Sequence, residues 1–192
     1  MSTIKVDAIQ GTSGASTAIT LSGDTATFAK TPSGNLIGEV DIFRLAADLT
    51  NNVSNYITAN LERVDNAAFS KIGTGMSESS GTFTFPRTGL YRIGVSAHIY
   101  IPDGNDGAAG VDTYFSDDNF SSTQQLATAW AGDNDGSGQW YGTHPSECFV
   151  NITNISTNKI RFATNSMSDA LLVGGTGINQ TSFSFIRLGE SQ

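Results

Sequence analysis

Aromatic and oxygen-bearing side chains occur together in the turns of this sequence, and their types suit a binding chemistry. Trp130, Trp140 and Tyr141 flank a loop rich in Gly and Asp, at residues 132–138. Exposed rings stack on the faces of sugars, while carboxylates and amides bind the hydroxyl groups. The pattern is compatible with glycan recognition, but large aromatic residues are mostly buried, so we expect both tryptophans in a core or at a subunit interface and keep glycan recognition as the alternative. The candidate receptor-binding or glycan-binding loop residues are Asp103, Asn105, Asp117, Trp130, Asp133, Trp140 and Tyr141.

The acidic turns also offer hard oxygen ligands of the kind that calcium prefers. None of them has the ligand spacing of a helix–loop–helix calcium site, and acidic turns are ordinary surface loops in most proteins. We therefore predict no metal site and no cofactor. If calcium were bound, Asp133 and Asp135 would be the candidate ligands.

Catalytic chemistry has few candidate residues. The chain has two histidines, His98 and His144, so a metal site built from several imidazoles cannot form within one copy. No nucleophile-elbow sequence is present. The single cysteine, Cys148, cannot form an internal disulfide, and a small buried side chain is the expected role. His144 is expected on a Gly-Thr-His-Pro turn. We predict that the protein is not an enzyme.

Charge and composition exclude several classes of partner. The net charge of −8 and the scattered basic residues argue against nucleic acid, because phosphate binding needs clustered Lys and Arg. Residues 1–10 lack the apolar core of a signal peptide, and no apolar run approaches the length of a membrane span. We therefore expect no nucleic-acid partner and no membrane insertion.

Short strands must position the candidate side chains. The chain is rich in Gly, Ser, Thr and Asn, and apolar residues alternate with polar ones between regularly spaced turn signals. This usage predicts an all-β sandwich or jelly roll. The predicted strands lie at about residues 39–48, 69–72, 82–85, 90–101, 111–115, 124–131, 148–152, 159–163 and 181–188.

The first 35 residues differ in composition from the remainder. Ile4, Val6 and Ile9 lie in short strand-like pieces that have too little apolar surface to close a core alone. Such a segment is expected to become ordered against another chain or another protein. We predict a short, extended attachment segment at residues 1–35 and a second domain at residues 36–192.

Two patterns of residue type and spacing resemble one known fold family. A Gly-x-Phe-x-x-Pro-x-x-Gly-x-Tyr pattern spans residues 81–91 and opens a long strand, and Phe-Ser-Phe-Ile at residues 183–186 ends the chain's last strand. Both are similar to the complement globular-head and tumour-necrosis-factor-like jelly roll, over about residues 40–190. The resemblance implies a jelly-roll sandwich that forms a homotrimer, with the chain termini together at its base.

A narrower resemblance concerns residues 1–10 and 60–81. Met-Ser-Thr-Ile-Lys-Val-Asp-Ala-Ile-Gln and the run Asn-Leu-Glu-Arg-Val-Asp are similar to segments of structural and fibre proteins of marine tailed bacteriophages. The resemblance implies a tail or head fibre at the virion surface, attached by its N-terminus to capsid or tail proteins. Its homotrimeric head could meet a host-surface glycan. The alternatives are a capsid decoration protein and a cellular carbohydrate-binding adhesin module.

Overall fold

The computed structural model of this chain describes residues 8–10, 17–22, 25–28, 37–50, 55–102, 107–132 and 138–192. The chain divides into two compact units, Met1–Leu36 and Ile37–Gln192. All the secondary-structure elements assigned in the described residues are strands, and these strands pair antiparallel. Within those ranges no helix is long and apolar enough to cross a membrane.

The smaller unit contains a three-stranded antiparallel sheet. Its strands are β1 (Ala8–Gln10), β2 (Thr17–Ser22) and β3 (Thr25–Phe28), with β2 in the centre. The backbone register places Ile19 opposite Ile9 on one side and opposite Phe28 on the other. Apolar positions of three strands therefore share one cross-strand row.

The larger unit is built from two sheets that follow the Greek-key connections of a jelly roll. Its strands are β4 (Glu39–Leu45), β5 (Leu49–Thr50), β6 (Leu61–Arg63), β7 (Ser77–Ser79), β8 (Thr82–Thr84), β9 (Gly89–Ile101), β10 (Ala108–Ser116), β11 (Gln124–Gly132), β12 (Trp140–Ile152), β13 (Lys159–Asn165), β14 (Leu171–Leu172) and β15 (Ser182–Gly189).

The two sheets form two layers, and the chain crosses between the layers several times. One sheet has the strand order β11–β10–β13–β8–β7. In the other sheet β9 is central: β12 pairs along one side of it, β15 and β14 pair along the other side, and β4 and β6 follow β15. Chain-adjacent strands such as β8 and β9 thus lie in opposite layers. The predicted all-β jelly-roll sandwich is confirmed.

Aromatic side chains from both sheets meet in the core between them. The Phe83 ring is fully buried, and its centroid lies 5.1 Å from that of Phe43, 5.5 Å from that of Phe162 and 5.0 Å from that of Phe185. Phe83 and Phe162 belong to one sheet, and Phe43 and Phe185 belong to the other. Edge-to-face and offset contacts of this kind stabilise aromatic clusters beyond the burial of apolar area.

The long strand β9 alternates as its sequence predicts. Tyr91, Ile93 and Ile99 are buried toward the core, whereas Arg92 and His98 lie on the opposite face. The Tyr91 hydroxyl donates a hydrogen bond of 2.9 Å to the carbonyl of Arg87, which joins the strand to the preceding Pro/Gly corner. Burial is the main cause that raises the pKa of Tyr91 to about 12.

Two buried carboxylates of β4 hold the segment at residues 66–76 against the sheet. Asp41 accepts hydrogen bonds from the Met76 amide at 2.8 Å and from Arg63 Nε at 3.0 Å. Glu39 accepts one from the Gly75 amide at 2.9 Å. We call this group, Glu39 and Asp41 with those three partners, the carboxylate clamp.

The strand predicted at residues 69–72 is wrong. Within that stretch the backbone forms only an isolated bridge, between Ile72 and Val40. The reason lies in the carboxylate clamp: the amides of Gly75 and Met76, a few residues further on, bond to side chains of β4 instead of to its backbone. The segment is therefore fastened by side-chain oxygens and needs no ladder.

The strand β12 is longer than its sequence suggests. A strand was predicted only at residues 148–152, with His144 on a turn, but β12 begins at Trp140 and pairs with β9 over thirteen residues without a register shift. Pro145 pairs with Ser96 in the middle of this ladder. Since a proline has no amide hydrogen, an unbroken ladder requires that its nitrogen face away from β9. Among the described residues β12 has no pairing partner on that outer edge.

Candidate functional site

Several predicted site residues lie outside the residues that the structure describes. They are Asp103, Asn105, Asp133, Asp135, Ile4 and Val6. Ile9 lies in β1, where its backbone pairs with Ile19. In the described ranges no three His, Cys, Asp or Glu side chains come together as a metal site would require.

The turn that follows β10 is organised by the neighbour of the predicted Asp117. Asp117 is exposed, whereas the Asp118 carboxylate accepts hydrogen bonds from the Ser122 amide at 2.9 Å and from the hydroxyls of Ser122 at 2.7 Å and Ser116 at 2.8 Å. These bonds, that of the Ser122 amide first, lower the pKa of Asp118. The carboxylate of Asp118 therefore stabilises the turn in which the acidic pair lies.

The two tryptophans have different environments, and both lie in strands instead of loops. Trp130 is 44% exposed on the solvent side of β11. Trp140 is half-buried, packs against the core, and covers Gly142 so closely that a side chain there would strike the indole. Its ring centroid lies 5.2 Å from that of His144. Trp140 is therefore a packing residue, while Trp130 is accessible.

The core-facing side of β12 carries three more polar or sulfur-bearing groups. His144 Nε2 and Ser146 Oγ are buried and have no hydrogen-bond partner among the described residues. Cys148 is half-buried, and desolvation, followed by the charge of Glu147, raises the pKa of its thiol to about 11. A thiol with so high a pKa is protonated at neutral pH, which matches a packing role and not nucleophilic chemistry.

The solvent side of the β12–β9–β15 sheet forms a continuous surface that we call the open face. It consists of the odd-numbered residues 141–149 of β12, the even-numbered residues 90–100 of β9 and the even-numbered residues 182–186 of β15. Tyr141 and Phe149 are 60% and 57% exposed on it. Exposed aromatic side chains of this kind are enriched at protein interaction sites.

Small residues occupy the centre of the open face. Gly94, Ser96, Ser182 and Ser184 surround a depression of about 430 Å³, bounded on one side by Pro145. Gly94 packs closely against β15, because a Cβ there would lie 2.6 Å from Ser184 Oγ and would displace that hydroxyl. An ion pair between Arg92 and Glu147 lies beside the depression.

Aromatic rings flank the depression at both ends of β12. At one end Tyr141 stacks on Tyr100, with ring centroids 4.4 Å apart and planes inclined by 30°. His98 Nδ1 and Thr143 Oγ1 lie 2.7 Å apart beside this stack. At the other end Phe149 extends from the sheet. The open face therefore combines projecting rings with a recess.

Sequence reasoning selected Tyr141 but missed its partners on the open face. Phe149, Gly94 and Ser184 lie in three different strands, and only the register brings them together. Only the alternation of β9 could have indicated this face, because it predicts that Arg92, His98 and Tyr100 point away from the core. Trp130 lies in the other sheet, so the structure does not bring it together with Tyr141.

Comparison with known proteins bears on the fold. No protein-family model and no curated protein matches the sequence. The structure is similar to that of Eiger TNF from S. frugiperda, with a TM-score of 0.61 at 9% identity, covering 80% of this chain and 94% of that one. It is also similar to murine APRIL at pH 5.0, with a TM-score of 0.56 at 12% identity, covering 78% of this chain and 98% of that one.

The arrangement of the strands in two sheets is consistent with the fold of these neighbours. Strands β4, β15, β9 and β12 form one layer, and strands β11, β10, β13 and β8 form the other. At such low identity the likeness concerns the fold alone. Residues 37–192 adopt a TNF-like jelly roll, as the patterns at residues 81–91 and 183–186 predict.

Proposed function

We propose that this chain is a structural protein of the bacteriophage virion surface. In this proposal its N-terminal segment attaches to a capsid or tail protein, and its jelly-roll heads assemble as a homotrimeric fibre knob or decoration and face the host. The protein acts by assembly and recognition, without catalysis and without a cofactor. The observation that carries the assembly part of the proposal is the open face.

The open face carries exposed aromatic side chains of the kind that oligomer interfaces use. Tyr and Phe are enriched in the cores of protein interfaces, and here Tyr141 and Phe149 stand eight positions apart on one strand, about 27 Å at the rise of an antiparallel strand. Arg92 and Glu147 neutralise each other within one copy. The centre of the face therefore presents no net charge that would repel a second copy.

The shape of the open face favours a closed ring of copies. Each copy carries both projecting rings and a recess of about 430 Å³ on one face. A ring of one copy can enter the recess of the next, and a heterologous contact of this kind closes when the rotation between copies is cyclic. The number three rests on the resemblance to trimeric jelly rolls.

The virion role rests on the N-terminal segment. Its sequence resembles that of phage structural proteins, and it belongs to a unit separate from the jelly roll. The three short strands of that unit offer few apolar positions, and small sheets need a further layer for stability. Docking on a virion protein would supply that layer.

Light scattering of the full chain tests the assembly. We expect three times the chain mass of 20.2 kDa. Phe149→Asp and Tyr141→Asp should shift the protein toward monomer, because each introduces a carboxylate into an apolar contact. Trp130→Asp is the matched control, an exposed aromatic on the other sheet, and should stay trimeric. A monomeric unaltered chain would refute the assembly.

Deletion of residues 1–35 tests the attachment. We expect particles assembled with the shortened protein to lack it, while the purified head keeps its oligomeric state and its strand signature in circular dichroism. Particle incorporation that is unchanged by the deletion would refute attachment through this segment.

A further inference from the structure

Trp130 is presented to solvent by a rigid part of the fold. Its neighbours along β11, Ala129 and Ala131, are fully buried in the core, while Trp130 itself is 44% exposed. The backbone on both sides of the indole is therefore held by packing. An exposed tryptophan on a strand is more precisely placed than one on a loop.

A glycine of the neighbouring strand lies under the indole. Gly110 pairs directly with Trp130, and a Cβ at Gly110 would lie 2.5 Å from Trp130 Cε3. The six-membered part of the ring therefore occupies the space that a side chain would take on β10. This close fit supports the ring from below and leaves its remaining surface open to solvent.

Polar groups held by a buried carboxylate adjoin the ring. Asp112 is 3% exposed and accepts hydrogen bonds from the Thr128 hydroxyl at 2.7 Å and from the Asn165 amide at 3.0 Å. The Gln125 amide in turn donates to Thr128 Oγ1 at 3.0 Å. Asp112 thereby fixes a hydroxyl and an amide in defined orientations on the same face as Trp130.

The spacing of these groups matches one sugar ring and its hydroxyls. Thr128 lies two residues from Trp130 on one face of β11, about 7 Å away along the strand. Asn165 pairs with Gly110 from the far side, so it lies two strands from Trp130, about 10 Å away. A ligand stacked on the indole would reach both groups at its rim.

The charges around Trp130 select an uncharged ligand. Its row of the sheet continues to Gly110 and Asn165, and the next row holds Thr128, Asp112 and Ala163, so neither row contains Lys or Arg. The chain carries a net charge of −8, which disfavours anionic ligands. An apolar ring face with hydroxyls at its rim remains the matching chemistry.

We propose that Trp130, with Thr128 and Asn165 held by Asp112, binds a neutral saccharide by stacking one pyranose face on the indole. Thr128 and Asn165 bind the sugar hydroxyls, and Gly110 supports the indole. The proposal deepens the host-facing part of the proposed function and rests on it for the source of the sugar. It places recognition on the outward face of β10 and β11, away from the open face used for assembly.

Nuclear magnetic resonance of the two indole N–H groups tests the site in the full chain. The probes are methyl β-D-galactopyranoside and methyl β-D-glucopyranoside, each titrated to tens of millimolar. We expect the Trp130 signal to shift with at least one of them while the Trp140 signal stays fixed. Trp130→Ala should weaken binding about tenfold, as the loss of one aromatic stacking contact does.

Two variants separate stacking from positioning. Gly110→Ala keeps the tryptophan but displaces its ring, and should weaken binding; because its Cβ would also lie 2.9 Å from the Ala129 carbonyl, circular dichroism must show the strand signature retained. Asn165→Ala should weaken binding by removing a hydrogen bond. Phe149→Ala, an exposed aromatic on the other sheet, is the control and should leave the sugar-induced shift unchanged. Binding that Gly110→Ala and Trp130→Ala both leave intact would overturn the site.

The remaining outcomes also decide the proposal. Absence of any Trp130 shift with both sugars overturns it, as does stronger binding of the anionic probe 3′-sialyllactose than of the neutral sugars. A changed mass of Trp130→Ala in light scattering would place the residue in a subunit interface and overturn the site. A monomeric chain that still shows the Trp130 shift refutes the proposed assembly but supports the saccharide site.

Discussion

Replacing Asp41 by alanine should destabilise the jelly roll by about 1–4 kcal/mol. The Asp41 carboxylate is 1% exposed and joins β4 to the buried amide of Met76. Leaving that amide without a partner costs about 1–3 kcal/mol. Arg63, 38% exposed, regains water when its partner is lost, so the ion pair adds up to about 1 kcal/mol. For a unit of about 150 residues, at about 3 °C per kcal/mol, the sum lowers the melting temperature by about 3–12 °C.

Thermal unfolding followed by circular dichroism measures this loss. All variants must be compared at one protein concentration, because oligomerisation makes the melting temperature concentration-dependent. Asp65→Ala is the matched control: Asp65 also pairs with an arginine, Arg44 at 2.7 Å, but its side chain is 78% exposed. Arg44 is itself buried but keeps its ion pair with Glu62 at 2.7 Å, so removal of Asp65 should cost about 1 kcal/mol or less. Asp41→Asn keeps an acceptor for the Met76 amide and should fall between the two.

Equal melting temperatures for Asp41→Ala and Asp65→Ala would refute this reasoning. Such a result would mean that the amide of Met76 finds another partner once the Asp41 carboxylate is gone. The carboxylate clamp would then be a consequence of the fold and not one of its causes.

Three further outcomes follow from the packing and the pKa shifts. Phe83→Ala should cost about 3–5 kcal/mol in denaturant unfolding and Phe83→Leu clearly less, because the ring is fully buried among three others; similar losses for both would contradict the packing argument. Cys148, with its pKa raised to about 11, should react with iodoacetamide about a hundredfold more slowly in the folded protein than after unfolding in guanidinium at the same pH; equal rates would show an accessible thiolate. Because the pKa of Asp118 is lowered in the folded protein, its contribution to stability is present above the ordinary Asp pKa and is lost as the pH falls through the lowered value. Asp118→Asn should therefore make the free energy of unfolding depend less on pH in the acid range. A carboxyl titration of Asp118 at the ordinary pKa, measured by carbon NMR, would contradict this prediction.

The parts of the fold that the sequence predicts are those in which local pattern and burial agree. In β9 every second residue from Tyr91 to Ile101 is buried, and the strand period alone reveals this face. The corner before it, at residues 86–89, contains a proline and a glycine whose backbone preferences are local. Phe183 and Phe185 at the end of the chain follow the same period. Such signals need no knowledge of distant partners.

The candidate site was less predictable because it depends on register between distant strands. Phe149 and Gly94 belong to one face only because β12 pairs with β9 in one register. The exposure of Trp130 and the packing of Trp140 likewise follow from which side of a strand each residue occupies. His144 was misplaced on a turn because the sequence Gly-Thr-His-Pro has turn composition, whereas the ladder with β9 overrides it.

Pro145 has a consequence for how far copies of this protein can associate. The outer rim of β12 is a long row of backbone groups of the kind that templates fibrils, and a missing amide at its midpoint interrupts any strand that aligns there. The sheet is thereby prevented from growing by the pairing of a second chain along the outer edge of β12. Association is left to surfaces of defined size, so many copies of this protein can be held at high local density without polymerising through this edge.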